Sequence, residues 1–148
     1  MNNRPVDTNS VLNRLLVLHH RSMLMFFGYA PPWIRRRQES AQDTVRLIIE
    51  DQKRTVAQLE QTILANDGEV EYGEFPIEYT ALHDLSFDYV LGRLLQSQRV
   101  MVDQIKRMVD QLNGASLPQA LAQECLGQAK AHLESLEELA RHPVAAED

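Results

Sequence analysis

Four segments of the chain repeat apolar residues at spacings of three and four, the pattern of an amphipathic α-helix. The pattern predicts helices over about 10–30, 36–66, 86–113 and 117–141. Proline, glycine, asparagine and aspartate residues separate these segments, and no segment shows the alternation expected of a β-strand. The sequence therefore predicts an all-α fold.

The lengths of the three connections indicate how the helices are arranged. The first and third are short enough to join antiparallel neighbours, whereas the second, from about 67 to 85, is close to twenty residues. A helix of about 27 residues is about 40 Å long, and about 12 extended residues cross that distance. We therefore predict one domain over 1–148, a four-helix bundle that runs up-down-down-up with a long crossover between helices 2 and 3. A simple up-down-up-down bundle with a loose middle loop is the alternative.

Each predicted helix carries a polar interruption near the middle of its apolar face. The interruptions are His19, Gln52, Gln98 and His132, with Thr55 close to the same face. The separation from the first to the second is 33 residues and from the third to the fourth 34, so the interruptions fall at similar heights in the predicted topology. We expect these side chains to meet in the bundle centre, where each buried histidine finds a polar partner on another helix, because an unpaired polar group in a core is costly.

The first helix, LNRLLVLHHRSMLMFFGYA, resembles helix 1 of the bacterioferritin and rubrerythrin branch of the ferritin-like superfamily. The matching positions are Leu12-Asn13 and Phe26-Phe27, and His19 occupies the place of a ligand glutamate. In helix 2, QKRTVAQLEQTIL is similar to the family's Glu-x-x-His run, with Leu59 and Ile63 in place. The resemblance spans roughly residues 11 to 140 and implies a ferritin-like bundle.

The same resemblance implies a di-iron centre, which in this family takes one Glu from each of two helices and a Glu-x-x-His pair from each of the other two. Of these six positions the chain keeps only His132. The other five are substituted and read His19, Gln52, Thr55, Gln98 and Ala129. Two iron ions without a carboxylate would leave a large uncompensated charge in the core, so we expect no ordinary di-iron centre.

Three interpretations of the altered layer stay open. In the first, the histidines and glutamines satisfy one another by hydrogen bonds. In the second, His19 and His132 bind a single Zn²⁺ or Cu ion with a third protein ligand. The candidate third ligands lie nearby in the sequence or in the crossover: Glu50, Asp51, His20 and His83. In the third, a small-molecule pocket is lined by methionines and aromatic residues, among them Met23, Met101 and Met108.

Charge and cysteine content narrow the class of protein. The net charge is −6, and the basic run at Arg35, Arg36 and Arg37 is short, so we expect no nucleic-acid partner. The single cysteine, Cys125, allows no internal disulfide, and the first ten residues lack the apolar run of a secretory signal. No segment reaches 18 uninterrupted apolar residues. We therefore expect a cytoplasmic protein that neither spans nor binds a membrane.

Two functional hypotheses follow. The first is a non-catalytic ferritin-like bundle without a cofactor, which acts through binding or self-association and forms a homodimer. The second is a metalloprotein with an altered mononuclear site at His19 and His132.

Overall fold

The computed structural model describes residues 7–30, 39–82 and 85–141. Within these ranges the chain is helical and forms no β-strand, in agreement with the predicted all-α class. The described α-helices are α1 (Thr8–His20), α2 (Met23–Tyr29), α3 (Glu39–Ala65), α4 (Phe87–Gln111) and α5 (Ser116–Arg141). A short 3-10 helix, Ile77–Ala81, precedes α4. The arginine run at 35–37 and His83 lie outside the described residues.

The first predicted helix is not continuous over 10–30. It ends at His20, Arg21 caps it, and a new helix begins after Ser22. Ser22 has an extended backbone (φ −66°, ψ 159°), and its hydroxyl accepts a hydrogen bond from the backbone N–H of Met25 at 3.1 Å. A serine in this position starts a helix because its side chain replaces a missing backbone acceptor. The break therefore divides the predicted helix into α1 and α2.

The remaining helices were predicted over 36–66, 86–113 and 117–141. Residues 36–38, where the first of these was expected to begin, lie outside the described residues. The end of α3 and both ends of α4 and α5 lie within about two residues of the predicted bounds. None of the described helices is both long and apolar enough to cross a membrane.

Two apolar clusters form the core, one toward each end of the helices. One cluster joins α2 to the first half of α3, the first half of α4 and Leu136 near the end of α5. The other joins α1 to the second halves of α3 and α4 and to the first half of α5. The beginnings of α3 and α4 thus share one cluster and their ends share the other.

The segment between α3 and α4 lies along α1. The side chain of Asn13 accepts a hydrogen bond from the backbone N–H of Glu71 at 2.9 Å and donates one to its carbonyl at 3.1 Å. Directly after the end of α1, the Arg21 Nε–H donates to the carbonyls of Tyr72 and Gly73 at 3.1 and 3.0 Å. Farther along, Phe75 and Tyr79 pack their rings against Phe26 of α2. The crossover therefore follows the first two helices from one cluster to the other.

Gly73 allows the crossover to approach α1 closely. Its φ of 68° lies in the left-handed region, which an L side chain rarely adopts. A Cβ at this position would lie 2.8 Å from the Cγ1 atom of Val17. Both the backbone conformation and the close packing thus require glycine here.

Candidate functional site

Five buried polar side chains lie between the two apolar clusters. They are the residues singled out by the hydrophobic pattern, and each residue as a whole is at most 6% exposed: His19, Gln52, Thr55, Gln98 and His132. On α3, α4 and α5, apolar residues of one cluster precede the polar residue and apolar residues of the other follow it. His19 lies near the end of α1, between the apolar residues of that helix in one cluster and those of α2 in the other. The five residues form a layer, called the polar layer below, across the middle of the structure.

His19 satisfies one ring nitrogen within its own helix. The Nδ1–H donates to the backbone carbonyl of Leu15 at 2.8 Å. With the proton on Nδ1, the neutral ring carries its lone pair on Nε2. Burial lowers the pKa of His19 from 6.5 to about 4; the Leu15 hydrogen bond opposes this shift and the nearby His132 adds to it. His19 is therefore neutral at pH 7. The sequence predicted that each buried histidine finds a polar partner on another helix, and for the Nδ1 atom of His19 that prediction is wrong.

His132 is paired with an acid on α3. Its Nε2 atom lies 2.9 Å from Oδ2 of Asp51 and donates a hydrogen bond to it. The Asp51 carboxylate also forms an ion pair with Arg54 one turn later on the same helix. The side chain of Asp51 is 32% exposed whereas that of His132 is 8% exposed, so the pair links the interior to the surface. This contact fastens α5 to α3 at the level of the polar layer.

The two buried glutamines also find partners outside the polar layer. The Oε1 atom of Gln52 accepts a hydrogen bond from the Ser22 hydroxyl at 2.7 Å. The Nε2–H of Gln98 donates to the backbone carbonyl of Ala129 at 3.0 Å. Each glutamine thus ties one helix to another, Gln52 joining α3 to the start of α2 and Gln98 joining α4 to α5.

Thr55 completes the contacts between α3 and α5. Its hydroxyl lies 2.7 Å from Oε1 of Gln128 and 3.2 Å from the backbone carbonyl of Asp51. Gln128 is one turn before His132 on α5, so the two contacts with α3 are adjacent. The interface of these two helices at mid-height is consequently polar and specific.

The polar layer differs in its bonding from the mutual network that the sequence suggested. Among the described residues, the hydrogen bonds given above lead from each of the five side chains to a backbone carbonyl or to a residue outside the layer. Burial is the main cause of the lowered pKa of His19, and the nearby His132 adds to it. The layer is held by separate contacts rather than by one shared network.

Three contributors were not expected as partners in this layer. Ser22 and Gln128 lie outside the polar interruptions, and the sequence suggests Asp51 only as a metal ligand. The role of Ser22 could have been predicted from the sequence, since serine is a common residue at the start of a helix. Asp51 lies one position from the inward stripe of α3, and only the position of α5 shows that its side chain reaches His132.

The residues of the layer do not fit the di-iron centre of the family that the chain resembles. Two adjacent iron ions require several carboxylates to bridge them and balance their charge. Asp51 brings one carboxylate to the layer, and it is engaged by His132 and Arg54. Within 7–30, 39–82 and 85–141, no group of three His, Cys, Asp or Glu side chains is placed to hold a metal ion.

Comparisons with family models, with curated proteins and with solved structures gave no match to this chain.

Proposed function

We propose that this chain is a ferritin-like four-helix bundle that has exchanged its di-iron site for a structural polar layer and acts through binding or self-association. The observation that carries the proposal is the bonding of the layer: His132 is held by Asp51 and His19 by the carbonyl of Leu15. A polar layer with its own hydrogen-bond partners fixes the relative positions of helices without a cofactor.

The proposed topology is up-down-down-up, as in the ferritin-like family. Two features support it. The beginnings of α3 and α4 pack in one cluster and their ends in the other, as parallel helices require. The crossover also makes contacts along α1 and α2 from Asn13 to Phe26, as expected of a long connection that runs the length of a bundle between parallel helices.

Metal analysis tests the absence of a cofactor. We expect untagged protein, purified without chelator, to contain less than stoichiometric zinc, copper or iron by mass spectrometry. We also expect its melting temperature to be unchanged by EDTA, because only a metal bound to the folded state adds to stability. A His132→Ala variant serves as the comparison. Near-stoichiometric metal that is lost in this variant, with a lower melting temperature in EDTA, would contradict the proposal.

The second candidate is a mononuclear zinc or copper site at His19 and His132. One observation favours it: the Nδ1–H of His19 donates to a backbone carbonyl, the arrangement that orients most metal-binding histidines toward their ion through Nε2. Asp51, whose Oδ2 atom lies 2.9 Å from Nε2 of His132, is the carboxylate that we propose as a third ligand. The metal analysis above distinguishes this candidate from a structural layer.

Self-association as a homodimer is the second part of the proposal. Large apolar side chains remain exposed on several elements, and pairing of two copies would cover part of this surface. The most exposed are Ile77 and Leu117, at 80% and 81%.

The proposed location is the cytoplasm, since the chain has a single cysteine, Cys125, which is free and buried. No nucleic-acid partner is proposed for a chain of net charge −6.

Light scattering coupled to size exclusion measures the oligomeric state directly. We expect a mass of about 34 kDa, twice the 17.0 kDa of the chain. Dilution should shift the equilibrium toward the single chain, because association depends on concentration. A mass of one chain throughout the concentration series would rule out the homodimer and leave binding to another protein as the proposed role.

A further inference from the structure

A cavity of about 270 Å³ lies between α2, α3 and α4, away from the polar layer. Its volume is close to the lower end of the range for ligand sites, about 300–1,000 Å³, and exceeds the roughly 150 Å³ of an engineered core cavity that holds benzene. Five buried apolar side chains form its floor: Phe27, Val45, Ile49, Phe87 and Leu94. The interior is therefore suited to an apolar body of small size.

The mouth of the cavity carries two cations from one face of α3. Arg46 and Lys53 both line it, and Glu50 is the one carboxylate in the described lining. Arg46 is paired with Asp43 at 3.2 Å and Lys53 with Glu50 at 3.4 Å, and all four side chains are more than half exposed. Ion pairs of this kind are weak and exchange readily with other anions. The cationic groups are thus available to an anion seated in the mouth.

We propose that this cavity binds a small organic anion with an apolar body, of the class of medium-chain carboxylates. The apolar part lies on the floor between the two phenylalanine rings, and the carboxylate meets Arg46 and Lys53 at the mouth. Amphipathic ligands of this type are recognised by a mostly apolar pocket with a few polar groups that fix their orientation. The site is independent of the polar layer and of self-association, so it stands or fails separately from the proposed function.

Two helical glycines provide a matched pair of variants for the test. Gly28 of α2 lines the cavity, and a Cβ there would lie 3.9 Å from the Cγ2 atom of Ile49, an ordinary contact. A Cβ at Gly92 of α4 would meet nothing within 4 Å. Replacing either residue by leucine improves helix propensity, so both variants should fold, while only Gly28→Leu places a side chain across the cavity.

Titration calorimetry with octanoate, 1-octanol and octylamine tests the assignment. We expect saturable binding of one octanoate per chain, weakened by about tenfold or more in Gly28→Leu and unchanged in Gly92→Leu. The Arg46→Gln/Lys53→Gln variant should weaken octanoate binding and leave octanol binding unchanged. Absence of saturable octanoate binding, or equal binding by the two glycine variants, would overturn the proposal. Equal affinity for octanoate, octanol and octylamine would overturn the assignment of an anion.

Discussion

Acidification from pH 7 to pH 4 should destabilise this protein through His19. The folded state holds the pKa of His19 at about 4, whereas the ordinary value of an unfolded chain is 6.5. Between these values the unfolded state binds a proton that the folded state does not, so stability falls as the pH falls. Above pH 6.5 both states are neutral at this residue, and well below pH 4 both are protonated.

The size of this effect follows from the pKa difference. A pKa difference of one corresponds to about 1.4 kcal/mol. Because burial lowers the pKa of His19 from 6.5 to about 4, His19 should lower the free energy of unfolding by about 3 kcal/mol once the pH has fallen below 4. The measurement is the free energy of unfolding in urea across this pH range for the wild-type protein and for His19→Gln. The variant should lose less stability on acidification, because glutamine does not titrate.

His20 provides the control for this experiment. Solvent reaches His20 more easily, and burial lowers its pKa, with the charge of Arg21 adding to the shift and Glu60 opposing it. His20→Gln should therefore remove a smaller part of the pH dependence than His19→Gln does. If the wild-type protein and His19→Gln lose stability in parallel between pH 7 and pH 4, His19 is not the buried neutral group described here.

The burial of His19 could be predicted because helical periodicity is a local property. Leu12 and Leu16 define the inward stripe of α1, and His19 continues it at the next inward position. The same argument identified Gln52, Gln98 and His132, which are also buried. Periodicity shows which side chains turn inward, and it carries no information about which atoms they meet there.

The partners of these residues depend on contacts between segments that are distant in the sequence. Asp51 and His132 are 81 residues apart, and Thr55 and Gln128 are 73 apart. Their pairing follows from the rotation and height of α5 relative to α3, which no pattern within either helix determines. A buried polar residue could therefore be predicted, whereas its hydrogen-bond partner could not.

The break between α1 and α2 has both a local and a distant cause. No proline or glycine lies between His20 and Met23, where the break occurs, so the usual signals of a helix end are absent. Ser22 caps the new helix, while the Arg21 side chain is held by carbonyls of the crossover 51 and 52 residues away. The serine could have suggested a break, but the crossover contacts of Arg21 depend on tertiary structure.

Replacing Ser22 by alanine should be strongly destabilising because its hydroxyl makes two hydrogen bonds. It accepts from the N–H of Met25 and donates to Oε1 of Gln52, which is 1% exposed. Loss of a helix cap costs about 1 kcal/mol, and a buried acceptor left without a donor costs about 1–3 kcal/mol. We therefore expect Ser22→Ala to lower the free energy of unfolding by about 2–4 kcal/mol in urea denaturation.

Two further variants separate the cap from the buried hydrogen bond. Ser22→Thr keeps the hydroxyl and should retain most of the stability. In the Ser22→Ala background, Gln52→Leu removes the unpaired amide, so the double variant should be more stable than Ser22→Ala alone. Since the missing cap remains in that double variant, its residual loss measures the cap by itself. If Gln52→Leu brings no recovery, or if Ser22→Thr is as unstable as Ser22→Ala, the hydroxyl does not connect α2 to the polar layer.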